Sequence, residues 1–436
     1  MLAQRIMTVY RNKMKLALEI FCPSAPMSDP KRFVGREEEC LELSRAILAP
    51  GRHVVIYGDR GVGKTSAARL VTDSLRKKDK FRIIEYRCGE RDNYTSISYK
   101  LLNKLGLIHS KKTKSESYEQ TLSANVKAFF AKGGAESKRK KEEEFIQLIN
   151  SELTPDFLVT KFFDKKAIFV IDEFDRIKDE NTKLFIADTI KTLSDYKSTA
   201  KLIVCGVSNT AEGLFGKHES TIRNICPINI PYMSDSELRE LIENGINELD
   251  IDFSESLTNM VINLSEGLPY FTHLLCEELT VNAISAKKTK LSISDLYSVM
   301  PKSTSRIHDI ITTPYIMAIN TPKSTGGEFF SPPVSIPRNV RKFVIHGVAL
   351  SKIPSTENVS GIVTQLIKLS GTWMPDEYKD IDEMDIEVIV DEIIRLSGCL
   401  VRDANTIKFK TPFLKAYSMM KAIEEQGQII INKLEN

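Results

Sequence analysis

Along the first half of the chain the apolar residues follow two different periods. Short apolar runs at His53–Tyr57, Phe81–Tyr86, Ala167–Ile171 and Lys201–Val207 read as strands. Those at His53, Ala167 and Lys201 show no polar alternation, which predicts burial on both faces. Between them lie helical patterns: one with apolar Cys40, Leu41, Leu43 and Ile47, one opening at Thr65, and one over Thr95–Leu107. Strands alternating with helices predict an α/β fold around a parallel sheet. Ile228-Asn229-Ile230 alternates between Pro227 and Pro231 and predicts a last strand at the sheet edge, where proline is tolerated.

Past residue 232 the strand period stops. Four helical patterns follow, Ser234–Leu249, Ser254–Ser265, Gly267–Ser285 and Ile293–Met300, with helix-start signals at Ser234 and Ser254. A stretch dense in proline and glycine, 302–337, predicts a linker. Helical patterns at Arg338–Leu350, Ser360–Ser370 and Met384–Leu396 precede Cys399-Leu400-Val401, a turn at Asp403–Asn405, and Thr406–Lys410. Three helices and a hairpin predict a winged-helix arrangement, closed by a helix over Phe413–Glu425. The expected domains are a basic N-terminal arm (1–30), an α/β core (31–232), a helical module (233–301), the linker (302–337) and the winged-helix-like domain (338–436).

Composition narrows this picture. A chain of 436 residues suggests two or three domains, and an apolar share of 42% is that of a globular protein. Net charge is +3, too weak to announce a nucleic-acid binder. The seven cysteines form no CxxC pair, which argues against a zinc site or a disulfide frame and for a reducing, cytoplasmic setting. No apolar run reaches membrane-spanning length, so no membrane role is expected. Met1–Cys22 is basic and partly apolar but lacks the uninterrupted apolar centre of a signal peptide. A targeting helix is one reading of it; an amphipathic arm packed on the body or on a neighbour is the expected one. Within 109–160, the clusters Lys111–Lys114 and Lys138–Lys141, the second followed by Glu142–Glu144, predict solvated helix faces or mobile loops in a charged insertion; a nucleic-acid contact is the sharper alternative, against which no aromatic residues interleave with the lysines.

The chemistry centres on Gly58-Asp59-Arg60-Gly61-Val62-Gly63-Lys64-Thr65, which fits GxxxxGK[ST] at every fixed position between a strand and a helix. Glycines let the backbone bend around a polyphosphate with N–H groups turned inward, and the helix N-terminus adds a positive dipole end. Lys64 would reach the outer phosphates and the Thr65 hydroxyl would hold Mg2+. The strand Ala167–Ile171 ends in Asp172 and Glu173. In an open parallel sheet, ligands lie beyond the carboxyl ends of the strands. Asp172 is then placed to bind the Mg2+ shell and Glu173 to activate water. Ser208-Asn209 closes the strand from Lys201 and offers a polar group to the attacking water or terminal phosphate; a plain turn is the alternative.

Phe33-Val34-Gly35-Arg36-Glu37, the glycine loop, Ile171-Asp172-Glu173-Phe174-Asp175, Val204–Asn209 and Gly267-Leu268-Pro269 occur in the order found in AAA+ ATPases. The chain resembles their origin-recognition and initiator-loader branch and STAND-like ATPases over roughly 30–300. The resemblance implies a P-loop AAA+ core with a helical lid and ATP with Mg2+ as ligands. It places Val34, Gly35 and Arg36 near adenine, and Gly58 through Ser66 around the phosphates. It makes Asp172 and Glu173 the Walker B pair, with Glu173 as base, and Asn209 or Ser208 the first sensor. It puts Pro269 in the lid and offers Arg223 as an arginine finger to a neighbouring subunit of a homo-oligomer. The lid lacks the arginine usual in the initiator branch, Gly267-Leu268-Pro269 being closer to the STAND form.

The implied function is an ATP-hydrolysing switch that controls oligomeric assembly and engages a protein partner through the C-terminal domain; a prokaryotic defence system suits such a layout. The alternatives are a DNA-binding initiator, loader or transposition regulator, and a nucleotide-binding scaffold without turnover. Against DNA reading, the third helix of the winged-helix-like domain carries Asp385, Glu387, Asp391 and Glu392 with only Arg395 as base, and residues 301–436 hold 16 Lys/Arg against 16 Asp/Glu, so this helix is expected to contact protein unless the module uses its wing bases Arg402, Lys408 and Lys410.

Overall fold

The computed structural model describes residues 2–27, 29–107, 154–215, 224–307, 309–320, 338–352, 355–370, 383–403 and 406–427. The chain divides into two compact units, one of residues 26–231 and one of residues 1–25 with 232–436.

The 26–231 unit is built on five parallel strands: β1 (His53–Tyr57), β2 (Arg82–Arg87), β3 (Ala167–Asp172), β4 (Lys201–Cys205) and β5 (Ile225–Asn229), in the order β2-β3-β4-β1-β5. The three uninterrupted apolar runs are the three central strands. Val54, Val55, Ile56, Ile168, Phe169, Ile171, Ile203 and Val204 are fully enclosed, as expected when helices cover both faces. Pro227 sits inside β5, which pairs only with β1 at the sheet edge, so its missing N–H costs no ladder bond to a second neighbour. Helices Glu37–Leu48, Lys64–Asp79, Tyr94–Leu105, Pro155–Phe162 and Glu180–Asp195 surround the sheet. Three of them are started by side-chain caps from Asn93, Thr154 and Asp179. Of the predicted insertion, Pro155–Phe162 is a core helix, with Phe162 stacked on Phe169 at 4.1 Å. The two lysine-rich clusters lie outside the described residues.

In the other unit the four helical patterns appear as Asp235–Glu248, Glu255–Ser265, Pro269–Ala286 and Ile293–Ser305, with Ser234 and Ser254 as caps. Two short strands, Asp252–Phe253 and Lys290–Leu291, pair in parallel there and were not anticipated. The N-terminal helix Leu2–Ile20 docks on these helices, burying Ala17, Ile20 and Phe21. Its seat needs Gly245: a Cβ there would stand 2.2 Å from the Phe21 ring.

The linker expected from residue 302 is corrected by the structure. Helix Ile293–Ser305 runs through Pro301, and a further helix spans Asp309–Ile319 through Pro314. Each proline removes one backbone bond, but Met300, Ile307, Tyr315 and Ala318 are buried, and their packing outweighs the break. Residues 321–337 lie outside the described residues. Helices Arg338–Leu350, Thr356–Leu369 and Glu383–Ser397, the antiparallel hairpin Leu400–Asp403 with Thr406–Phe409, and helix Pro412–Gln426 complete the chain in the order expected of a winged-helix arrangement. This region is not a separate domain from the helical module. Thr304 Oγ1 donates to Glu424 at 2.6 Å, and Phe413 lies 4.5 Å from Phe271.

Candidate nucleotide site

The glycine loop leaves β1 in conformations that L side chains avoid: Gly58 at φ 139°, Gly61 at 86° and Gly63 at 102°. Gly58 is also sterically closed, since a Cβ would come 2.5 Å from the Ile230 carbonyl oxygen. Gly63 caps helix Lys64–Asp79, whose first N–H groups lack intrahelical acceptors. Val62 is buried beneath the loop. Lys64 Nζ donates to the carbonyls of Gly58 at 3.0 Å and Asp59 at 2.7 Å. Burial lowers the Lys64 pKa, and the negative charge of Asp175, Asp172 and Asp59 opposes that shift. Ser66 Oγ accepts from the Met27 N–H at 3.1 Å.

Strand order brings the acids to this loop. β3 stands one strand away from β1, across β4, and Asp172 ends it. Thr65 Oγ1 donates to Asp172 Oδ2 at 3.0 Å, while Asp172 Oδ1 accepts from the Glu173 N–H at 2.9 Å. Burial raises the Asp172 pKa, and these two hydrogen bonds work against it. A hydroxyl paired with a carboxylate is an all-oxygen donor set of the kind that suits Mg2+ beside phosphates. Thr65 and Asp172 would hold the ion, which when bound neutralises phosphate charge. Among the described residues no group of three or more His, Cys, Asp or Glu could hold a metal unaided.

Glu173 takes a left-handed backbone, φ 55°, a conformation that costs a non-glycine residue on the order of 1 kcal/mol. Its carboxylate is held by two arginines, Arg87 on Oε1 and Arg176 on Oε2, the second at 3.0 Å. Burial would raise the Glu173 pKa, but the hydrogen bonds and charge of Arg87 and Arg176 prevail and hold it below the usual glutamate value. Sheet register explains the Arg87 contact: Arg87 pairs with Asp172, and the Cys88 N–H donates to the Asp172 carbonyl at 2.8 Å. Neither arginine was singled out from the sequence. The available signal was a base at the end of each element bordering the Asp-Glu pair.

Beyond β4, the Gly206 N–H donates to Ile56 O at 3.1 Å and Ser208 forms an isolated bridge with Gly58, so this strand end lies against the phosphate loop. Asn209 follows as an exposed residue. Val34 is buried and Gly35 has φ 69°. The Arg36 guanidinium is buried and donates to Pro231 O at 2.6 Å and to Glu39 at 3.4 Å, contacts internal to the fold. Pro269 opens a helix of the other unit. Arg223 lies outside the described residues.

A parallel sheet carrying a glycine cradle on one strand and an Asp-Glu pair on a strand two places away defines a P-loop nucleotide-binding protein. More narrowly, residues 32–204 match the model of the AAA ATPase domain. A 61-residue stretch is 44% identical to Lon protease 2 of Bacillus subtilis; it covers 12% of this chain and only 11% of that relative. Among solved structures, the chain is similar to the Walker-type ATPase of Pyrococcus abyssi (TM-score 0.48, 15% identity, covering 92% of this chain and 99% of that one). It is also similar to Cdc6p from Pyrobaculum aerophilum (0.45, 14%, 94% and 98%). The ORC1 protein of Aeropyrum pernix, solved in complex with DNA, gives 0.43, 13%, 95% and 98%. At these scores the likeness carries no function across. No helix among the described residues is long and apolar enough to cross a membrane.

Proposed function

We propose that this chain is a Mg2+-dependent ATPase that works as a switch, cycling between ATP and ADP to control its own oligomeric assembly and its hold on a protein partner. The observation that carries the reading is the Thr65–Asp172 hydrogen bond, which joins the cradle to the acid pair within one crevice of the 26–231 unit. Lys64 and the cradle N–H groups bind phosphate, Glu173 accepts the proton of the attacking water, and Asn209 or Ser208 orients that water. Arg223 of a neighbouring copy supplies positive charge to the transition state.

A protein partner suits the C-terminal region better than a DNA groove. The exposed side of helix Glu383–Ser397 presents Met384, Glu387, Val388 and Asp391, and two bases of the hairpin are already engaged, Arg402 by Asp391 at 2.7 Å and Lys408 by Asp403. Groove-reading surfaces are basic and leave their arginines and lysines to phosphate.

The test compares wild type with Glu173→Gln and Lys64→Ala. Glu173→Gln should retain ATP binding and lose about 100-fold or more in phosphate release, the usual worth of a general base. Lys64→Ala should lose both. Equal turnover by wild type and Glu173→Gln would overturn the reading. Mass photometry with ADP and with a slowly hydrolysed ATP analogue should show growth of the assembly without DNA; growth only with duplex DNA would favour an initiator-type role.

A further inference from the structure

We propose that Asp175 is a positioning residue for the reaction: its carboxylate ties the turn carrying Glu173 to the end of β4 carrying Ser208 and Asn209. The inference rests on the ATPase reading of the site and goes beyond it in naming a residue that reading does not use.

After Glu173 the chain makes one 3-10 turn, Phe174–Arg176. Phe174 is fully buried, 5.3 Å from Phe215, and anchors that turn from below. Asp175 Oδ1 then accepts the Val207 N–H at 2.9 Å. The approach is tight enough to require glycine beside it: a Cβ at Gly206 would lie 3.1 Å from the Asp175 nitrogen, 3.2 Å from its Oδ1 and 2.6 Å from Leu214.

This contact closes a ring. Thr65 bonds Asp172; Asp172 and Glu173 lead through the turn to Asp175; Asp175 bonds Val207; and the next residue, Ser208, bridges back to Gly58 in the phosphate loop. The pairing of β3 with β4 ends at Ile171 and Val204, so beyond it the Asp175 bond is the side-chain link that holds the segment leading to Ser208 and Asn209 against the turn carrying the base. In water-activating sites a displacement of about 1 Å can cost as much as about 100-fold in rate.

The rival role for this carboxylate is electrostatic, since its charge also acts on Lys64. Three variants separate the two. Asp175→Asn keeps an oxygen acceptor at the same place and removes the charge. Asp175→Glu keeps the charge and moves the acceptor by one methylene. Asp175→Ala removes both. For positioning, Asn should hold kcat within about threefold of wild type, while Glu and Ala fall by about tenfold or more with KM for ATP little changed. Hydrogen exchange of the Val207 amide should be slow in wild type and Asn and fast in Ala, a readout that needs no turnover. An Asn variant as slow as Ala, a fully active Glu variant, or a Val207 amide indifferent to Asp175→Ala would overturn the proposal. Absence of turnover in wild type, with the Val207 amide still protected through Asp175, would count against the ATPase reading alone.

Discussion

Glu173, the base of the proposed reaction, is kept under restraint. Two guanidinium groups occupy its oxygens, its backbone is left-handed, and its acidity is pulled below the ordinary glutamate range by charge that outweighs burial. Replacing Arg87 by Ala removes one of the two positive charges and one hydrogen bond, so the Glu173 pKa should rise. The acidic limb of the kcat–pH profile reports the ionisation of the base in the complex, and in Arg87→Ala it should move to higher pH. A limb that stays in place would show that another group sets it. The cradle and the Asp-Glu pair were legible in the sequence because each is a local pattern of adjacent residues with fixed chemistry. The arginine restraint was not, because it arises from the register between β2 and β3, strands separated by some eighty residues of chain. Arg36 shows the complementary difficulty: a motif residue expected beside adenine directs its donors to Pro231 and Glu39.

Helices with clear caps and apolar faces were readable one by one, and the buried strands declared themselves by lacking polar alternation. Misreading came where proline was taken as a terminator. Pro301 and Pro314 lie within helices because neighbouring buried side chains outweigh one missing bond each. The N-terminal helix Leu2–Ile20 was expected as an arm, and it packs on its own chain through a fitted seat. Phe21 is fully buried against Gly245 and lies 6.2 Å from His273. Truncation of Phe21 to Ala should destabilise that unit by about 3 kcal/mol, the typical cost of emptying an enclosed aromatic site. Urea titration followed by circular dichroism would measure it, and a change well under 1 kcal/mol would mean the helix is a loose attachment.

Taken whole, the molecule should be acid-sensitive well above the carboxylate range. His53 and His346 are buried and His273 is half-buried with its ring turned inward, and desolvation lowers their pKa values to about 3, about 3 and about 4 from 6.5. All three fold neutral, while the unfolded chain takes up protons at these residues below pH 6.5. Stability present above 6.5 is therefore lost as pH falls toward 4, by up to about 1.4 kcal/mol per pH unit for each histidine. Melting temperature should be lower at pH 5.5 than at pH 7.5; no difference would mean the rings are protonated in the fold. The division of the chain carries a practical result of its own. Residues 26–231 interrupt the helical unit, whose first piece is residues 1–25. A gene fragment starting at residue 26 keeps the strand-and-cradle unit whole yet strips a helix from the other unit, and a fragment starting at 232 lacks that helix. A protease cut near Ala25 should therefore loosen helices some two hundred residues downstream while leaving the 26–231 unit folded.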